Sequence, residues 1–230
     1  MTGEWLANYV ATYVERDVRQ VLDIGDLITF QTFLRLCAGR AGQLLNLSGL
    51  GADSGITHVT AKRWISVLEA GYLVCRLPPL HMNVRKRLVK TPKLYFYDTG
   101  LLCYLLGIRA PDQLEAHPLR GAIFECWVVS EVIKHYLHRG ATPDVHFYRD
   151  RKGEEVDLVV DRGRDLIAVE VKAGRTAAHD VFTALERFRA IAGRHRKQRH
   201  VVIYGGGPTQ QRSAGELLSW QDTATYQWMA

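Results

Sequence analysis

GEEVDLVVDRGRDLIAVEVKAG, residues 153–174, decides how this chain folds. Two runs rich in β-branched residues, Glu155–Val160 and Leu166–Lys172, flank the turn-forming Asp161–Arg162–Gly163. They read as neighbouring strands of a hairpin. A period of two turns Val156, Leu158 and Val160 to one side and Glu155, Asp157 and Val159 to the other. In the second run Val169 and Val171 share a side, opposite Glu170 and Lys172. Paired as a hairpin, the strands can make Asp157 and Glu170 cross-strand neighbours. Two carboxylates so close repel each other unless a cation lies between them, and hard oxygen ligands suit Mg2+ or Mn2+. Lys172, two residues beyond Glu170, points to the same side, where an amine can orient a water or steady developing negative charge.

Working outward, Val145–Arg149 reads as a further strand, joined through Arg151–Lys152–Gly153. Gly121 to His138 has helical period. Ala177 to Ala192 reads as a second helix, and His200 to Tyr204 as a fourth strand. The order is αβββαβ. The tail from Gly205 carries no clear pattern. In the first helix Val128, Val129, Val132, Ile133 and Tyr136 gather on one face with Glu125 at its centre, while Glu131 lies toward the polar flank. A carboxylate on an apolar face needs a partner, because leaving it unpaired costs several kcal/mol, on the order of 3–5. A metal shared with Asp157 and Glu170 supplies one; an ion pair with Lys172 supplies another.

The first half is different. Trp5 to Leu22 reads as an amphipathic helix, with Tyr9, Val10, Tyr13, Val14, Val18 and Val21 on its apolar face. A second helix covers Leu27 to Arg40. Leu44 to Leu50 is apolar and helical, Gly51 to Gly55 break the helix, and Thr57 is the expected N-cap of a helix from His58 to Ala70. That helix turns Ala61, Trp64, Ile65 and Leu68 inward and His58, Lys62, Arg63 and Ser66 outward, with Gly71 closing it. This is the outline of a helix-turn-helix, with Lys62 and Arg63 on its recognition helix as candidate nucleic-acid contacts. Tyr72 to Phe96 alternates like a hairpin. From Arg76 to Lys93 it carries six basic residues and no acid. Arg85, Lys86 and Arg87 at its tip are candidate phosphate contacts of a wing, against the plainer reading of a solvated loop. Asp98 to Gly107 returns to helix and Ala110–Pro111–Asp112 reads as a linker. The expected domains are therefore 1–110 and 111–230.

Composition agrees with two small globular domains. The chain has 230 residues, is 47% apolar and has a formal charge of +6. Residues 1–110 carry 13 basic and 8 acidic side chains against 17 and 16 in residues 111–230, so the excess lies in the first half and points to an anionic partner. No apolar run approaches the ~20 residues that span a bilayer. The first residues lack the features of a secretory signal. A cytoplasmic protein without a membrane partner is expected. Four scattered cysteines, without a C-x-x-C pair, read as buried free thiols. His135 and His138 read as surface residues, and Trp5, Trp64 and Trp127 as core.

Longer stretches carry a resemblance. YVATYVERDVRQVLDIGDL, GQLLNLSGLGADSGITHVTAKRWISVLEAGYLV and NVRKRLVKTPKLYFYDTGLLCYLLGI resemble a domain of unknown function that follows the ATP-binding module in predicted AAA+ ATPases. GAIFECWVVSEVIK, FYRDRKGEEVDLVV and IAVEVKAG resemble its second part, which is similar to PD-(D/E)XK nucleases. The resemblance implies an α+β protein: a helical winged helix-turn-helix domain, then a restriction-endonuclease-like αβββαβ domain. It implies metal ligation by Glu125, Asp157 and Glu170 and a catalytic role for Lys172 with Glu170 and Asp157. The G-x-x-x-x-G-K-S/T phosphate loop is missing. Gly205–Gly206–Gly207 is no substitute, so no ATP site is expected in this chain. Three functions follow as expectations: a metal-dependent deoxyribonuclease, a non-catalytic DNA-binding or regulatory module, and a protein-interaction module that serves an ATPase; DNA is the expected partner, with an ATPase module or a homo-oligomer as further ones.

Overall fold

Trp64 packs edge-on against Phe30 and Phe33, with ring centroids 5.2 and 5.1 Å away. The computed structural model describes residues 2–12, 27–80, 90–192 and 197–229. These form two compact units: Met1–Arg76 with Leu94–Cys126, and Leu77–Lys93 with Trp127–Ala230. The units differ from the expected 1–110 and 111–230, because the segment after β1 groups with the second half. Structure is mixed α and β throughout.

The first unit contains α1 (Thr2–Tyr9), α2 (Leu27–Ala38), α3 (Leu47–Ser54), α4 (His58–Ala70), the paired strands β1 (Val74–Leu77) and β2 (Lys93–Phe96), α5 (Thr99–Leu105) and α6 (Pro111–Ala116). The end of β1 (Leu77) and the start of β2 (Lys93) fall in unit two. Phe30, Phe33, Leu34, Leu50, Ala61, Trp64, Ile65 and Leu68 are buried, as the period of α2 and α4 requires. Thr57 caps α4, its hydroxyl accepting from the Thr60 amide at 3.1 Å. The expected break at Gly51 is absent. α3 runs through Gly51 and stops at Gly55, whose φ of 71° is the left-handed C-cap. Gly51 serves close packing instead, since a Cβ there would lie 2.8 Å from the Ile56 carbonyl oxygen. Gly42 donates to Leu94 O and Leu94 donates to Gln43 O, tying this segment to β2. Ala110–Pro111–Asp112 leads into the short α6, with Pro111 at its first position.

The expected helix from Trp5 is described only to residue 12; its continuation through Tyr13 and Val21 lies outside the described residues. Trp5 is exposed and stacks on Tyr9 at 5.4 Å, so it is a surface residue and not core. Leu6 and Val10 are the buried positions of that turn.

The second unit holds most of α7 (Arg120–Leu137), then β3 (Val145–Arg149), β4 (Glu155–Asp161), β5 (Asp165–Lys172), α8 (Thr183–Ala192), β6 (Lys197–Tyr204), β7 (Gln210–Arg212) and β8 (Gly215–Ser219). Up to β6 this is the expected αβββαβ order. The unplaced tail then adds two strands. The sheet order is β3-β4-β5-β6-β8-β7, with β3, β4 and β5 antiparallel in turn and β6 parallel to both β5 and β8. On the outer side of β3, Leu80 donates to Phe147 O and Phe147 donates to Pro78 O. One face of the sheet, with Val159, Leu166, Ala168, Val202 and Leu217, packs against Leu185 and Phe188 of α8. Leu158, Val160, Ile167, Val169, Val201 and Ile203 are buried too, and α7 turns Val128, Val129, Val132, Ile133 and Tyr136 inward. Tyr136 donates to Trp228 O, and Trp228 is fully buried, so the C-terminal segment completes this core.

Candidate functional site

The hairpin of β4 and β5 has the expected partner order but not a plain two-residue period. β4 pairs with β5 through Leu158↔Val169, Val159↔Ala168 and Val160↔Ile167. On its other edge His146 pairs with Val159 and Tyr148 with Val156. Three steps along β4 thus match two along β3, which is a bulge at Asp157–Leu158 opposite Phe147. The extra residue turns Val156 to the side of Val159, in the core beneath α8. The expectation that Val156, Leu158 and Val160 share a side is corrected by that bulge.

The bulge ends regular pairing where Asp157 begins. Continued by one step, the β4–β5 register sets Asp157 opposite Glu170. Asp157 Oδ2 accepts the Val171 amide at 2.8 Å, taking the place of a backbone acceptor. Glu170 is buried, 8% exposed, and its Oε1 receives Lys172 Nζ at 2.6 Å. Lys172 lies on the same side of β5, as the sequence requires, and its side chain reaches solvent. These residues sit at the end of the sheet where the parallel strands β5, β6 and β8 finish, the end at which open sheets of this kind bind ligands. Behind them the chain is tightly packed. Gly205 donates to both Lys172 O and Gly174 O at 3.0 Å. A Cβ at Gly205 would lie 2.6 Å from Ala173 O, and one at Gly206 1.9 Å from Arg175 O. The glycine run after β6 therefore holds the loop that follows Lys172. It was visible in the sequence, but nothing there revealed its partner.

Asp157 and Glu170 are donors of the kind Mg2+ or Mn2+ takes, because Mg2+ binds through one or two carboxylates and fills its remaining positions with water or phosphate. Among the described residues no group of three or more His, Cys, Asp or Glu side chains is placed to hold a metal ion.

Glu125 lies in the first unit. It is half-buried, and its Oε1 accepts from the hydroxyl of the fully buried Tyr95 at 2.6 Å. A hydroxyl is thus one partner of this helical carboxylate, an option that spacing alone did not reveal. Glu131 pairs with Lys134 on its own helix. His135 is buried, not on the surface, with its ring 3.4 Å from Ala224 O; His138 is exposed. Cys37, Cys75 and Cys126 are buried and free, and burial pushes the Cys37 and Cys75 thiols up, which keeps them unreactive.

Lys62 and Arg63 are exposed on α4, together with His58 and Ser66. Arg85, Lys86 and Arg87 lie outside the described residues. No helix among the described residues is long and apolar enough to cross a membrane.

These features define a protein of two units, one helical with a two-stranded sheet and one built on a six-stranded mixed sheet. Residues 1–112 match the family described as Domain of unknown function (DUF8612), and residues 120–222 match Domain of unknown function (DUF4143). Similar proteins include uncharacterized proteins of Mycobacterium bovis and Mycobacterium tuberculosis, each 30% identical over 175 residues. That match covers 76% of this chain and 39% of each relative, so the chain spans well under half the length of the curated relatives it matches.

Proposed function

We propose that this chain is the C-terminal region of an AAA+ ATPase-type protein, binding DNA through its winged helix-turn-helix unit and carrying a nuclease-like phosphodiesterase site in its second unit. One observation carries the reading: beside the bulge in β4, Asp157 accepts the amide of Val171, the residue between Glu170 and Lys172, and Lys172 is ion-paired to Glu170. Asp157 and Glu170 would hold Mg2+ or Mn2+, which supplies positive charge to a scissile phosphate when bound. Lys172, on the same side as Glu170 and reaching solvent, would orient the attacking water. Lys62 and Arg63 on α4 support the DNA-binding half of the reading, together with the basic stretch from Arg76 to Lys93. The greater length of the relatives accords with an ATPase module elsewhere in such proteins.

A second reading, a non-catalytic DNA-binding or protein-interaction module, is favoured by the missing third ligand among the described residues. Cleavage of duplex and single-stranded DNA in Mg2+ or Mn2+ separates the two. Under the first, Asp157→Ala and Lys172→Ala each lose about 100-fold in cutting while DNA binding persists. A wild-type protein that binds DNA and cuts none of these substrates leaves the second reading standing and removes the first.

A further inference from the structure

We propose that Val59 reads the C5-methyl group of a thymine in the major groove of duplex DNA. The inference rests on the DNA-binding reading of the first unit and adds to it a residue that selects sequence. α3 and α4 are joined by three residues, Gly55, Ile56 and Thr57, the spacing of a helix-turn-helix. In that arrangement the second helix presents the residues of its N-terminal end to base edges. α4 buries Ala61, Trp64, Ile65 and Leu68, which fixes its rotation. The side left outward carries His58, Val59, Lys62, Arg63 and Ser66, all exposed.

Val59 is the anomaly on that side. It is 74% exposed, apolar and β-branched at the second position of the helix, where neither packing nor helix propensity accounts for it. Lys62 and Arg63 stand three and four residues further on, on the same face. The only acid of α4 is Glu69, and Arg76 holds it at two oxygens, so the outward face is cationic and complements a polyanion. Lysine and arginine contacts to phosphates position a helix but carry no sequence information. Val59 has no hydrogen-bonding group, so it can match only an apolar feature. In the major groove the apolar group at a base edge is the thymine methyl.

The test begins by selecting a preferred duplex from a random pool with the wild-type chain. Each thymine of that duplex is then replaced singly by deoxyuridine, which removes only the methyl, and binding is followed by fluorescence anisotropy. Val59 is exposed and alanine is the better helix former, so Val59→Ala folds. At one thymine per bound unit the wild type should lose about fourfold in affinity, the worth of one buried methyl group, and Val59→Ala should lose nothing further there. A wild type indifferent to every replacement overturns the inference, as does an equal loss in Val59→Ala, and either leaves DNA binding intact. Failure of the wild type to bind any duplex at low salt removes the DNA-binding reading itself, and this inference with it.

Discussion

Asp157 and Val171 are joined by a side-chain-to-backbone hydrogen bond of 2.8 Å at the point where β4 parts from β5. The carboxylate thus has a structural task apart from any chemistry, and the two can be separated. Asp157→Ala leaves the Val171 amide without this acceptor and should lower the unfolding free energy by about 1–2 kcal/mol. Asp157→Asn keeps an oxygen in place and should cost less, yet it removes the charge a divalent ion needs. Urea unfolding beside a cleavage assay checks this: an asparagine variant that is both stable and fully active would show that the charge has no catalytic part.

Tyr95 and Glu125 give a second measurable pair. Tyr95→Phe removes the donor to a half-buried carboxylate and should destabilise the chain by about 1–2 kcal/mol. Glu125→Gln keeps an acceptor for the hydroxyl and should cost less. Equal and negligible losses in chemical denaturation would mean the bond contributes nothing.

His200 makes stability depend on pH. Burial in β6, reinforced by the nearby Arg189 and opposed by Glu186, holds its imidazole below the ordinary value of 6.5. The unfolded chain therefore binds a proton before the folded chain does, and acid favours unfolding. The contribution of His200 is fully present above pH 6.5, declines as the pH falls below it, and is lost once the folded-state pKa is passed. Denaturation midpoints measured between pH 7.5 and 5, on the order of the range where histidine titrates, should fall more steeply for the wild type than for His200→Gln. Parallel curves would refute this.

Gly206→Ala should be among the most damaging small substitutions, because the added carbon would lie 1.9 Å from a backbone oxygen of Arg175 that cannot rotate away. A loss of about 3 kcal/mol is expected. Since the displaced loop follows Lys172 directly, any cleavage should fall in the same variant even below its melting temperature. Thermal melts and activity measured together would expose a failure of either part.

Much of this was legible in the sequence because it depends on local rules. Thr57, the period of α4 and the αβββαβ order follow from capping, helical phase and strand alternation. The bulge at Asp157 was hidden, since an extra residue in a strand alters no composition; it shows only when both edges of β4 are compared. β8 was hidden because its buried Leu217 and Leu218 are adjacent rather than alternating, so the short strand shows no two-residue period. Trp5 misled because stacking on Tyr9 satisfies a ring at the surface as an apolar stripe does in a core. The acceptor of the Tyr95 hydroxyl is 30 residues away in sequence and obeys no spacing rule.

The strip Pro78–Leu80, bonded to Phe147 along the outer side of β3, limits where the chain can be divided. Dividing it near residue 110 would strip β3 of that cover and take Lys93 from its ion pair with Glu155. The liberated C-terminal fragment would then expose a raw strand edge, able to recruit another copy by backbone pairing. Its clumping in solution would be an artefact of the cut and no guide to the assembly of the intact chain.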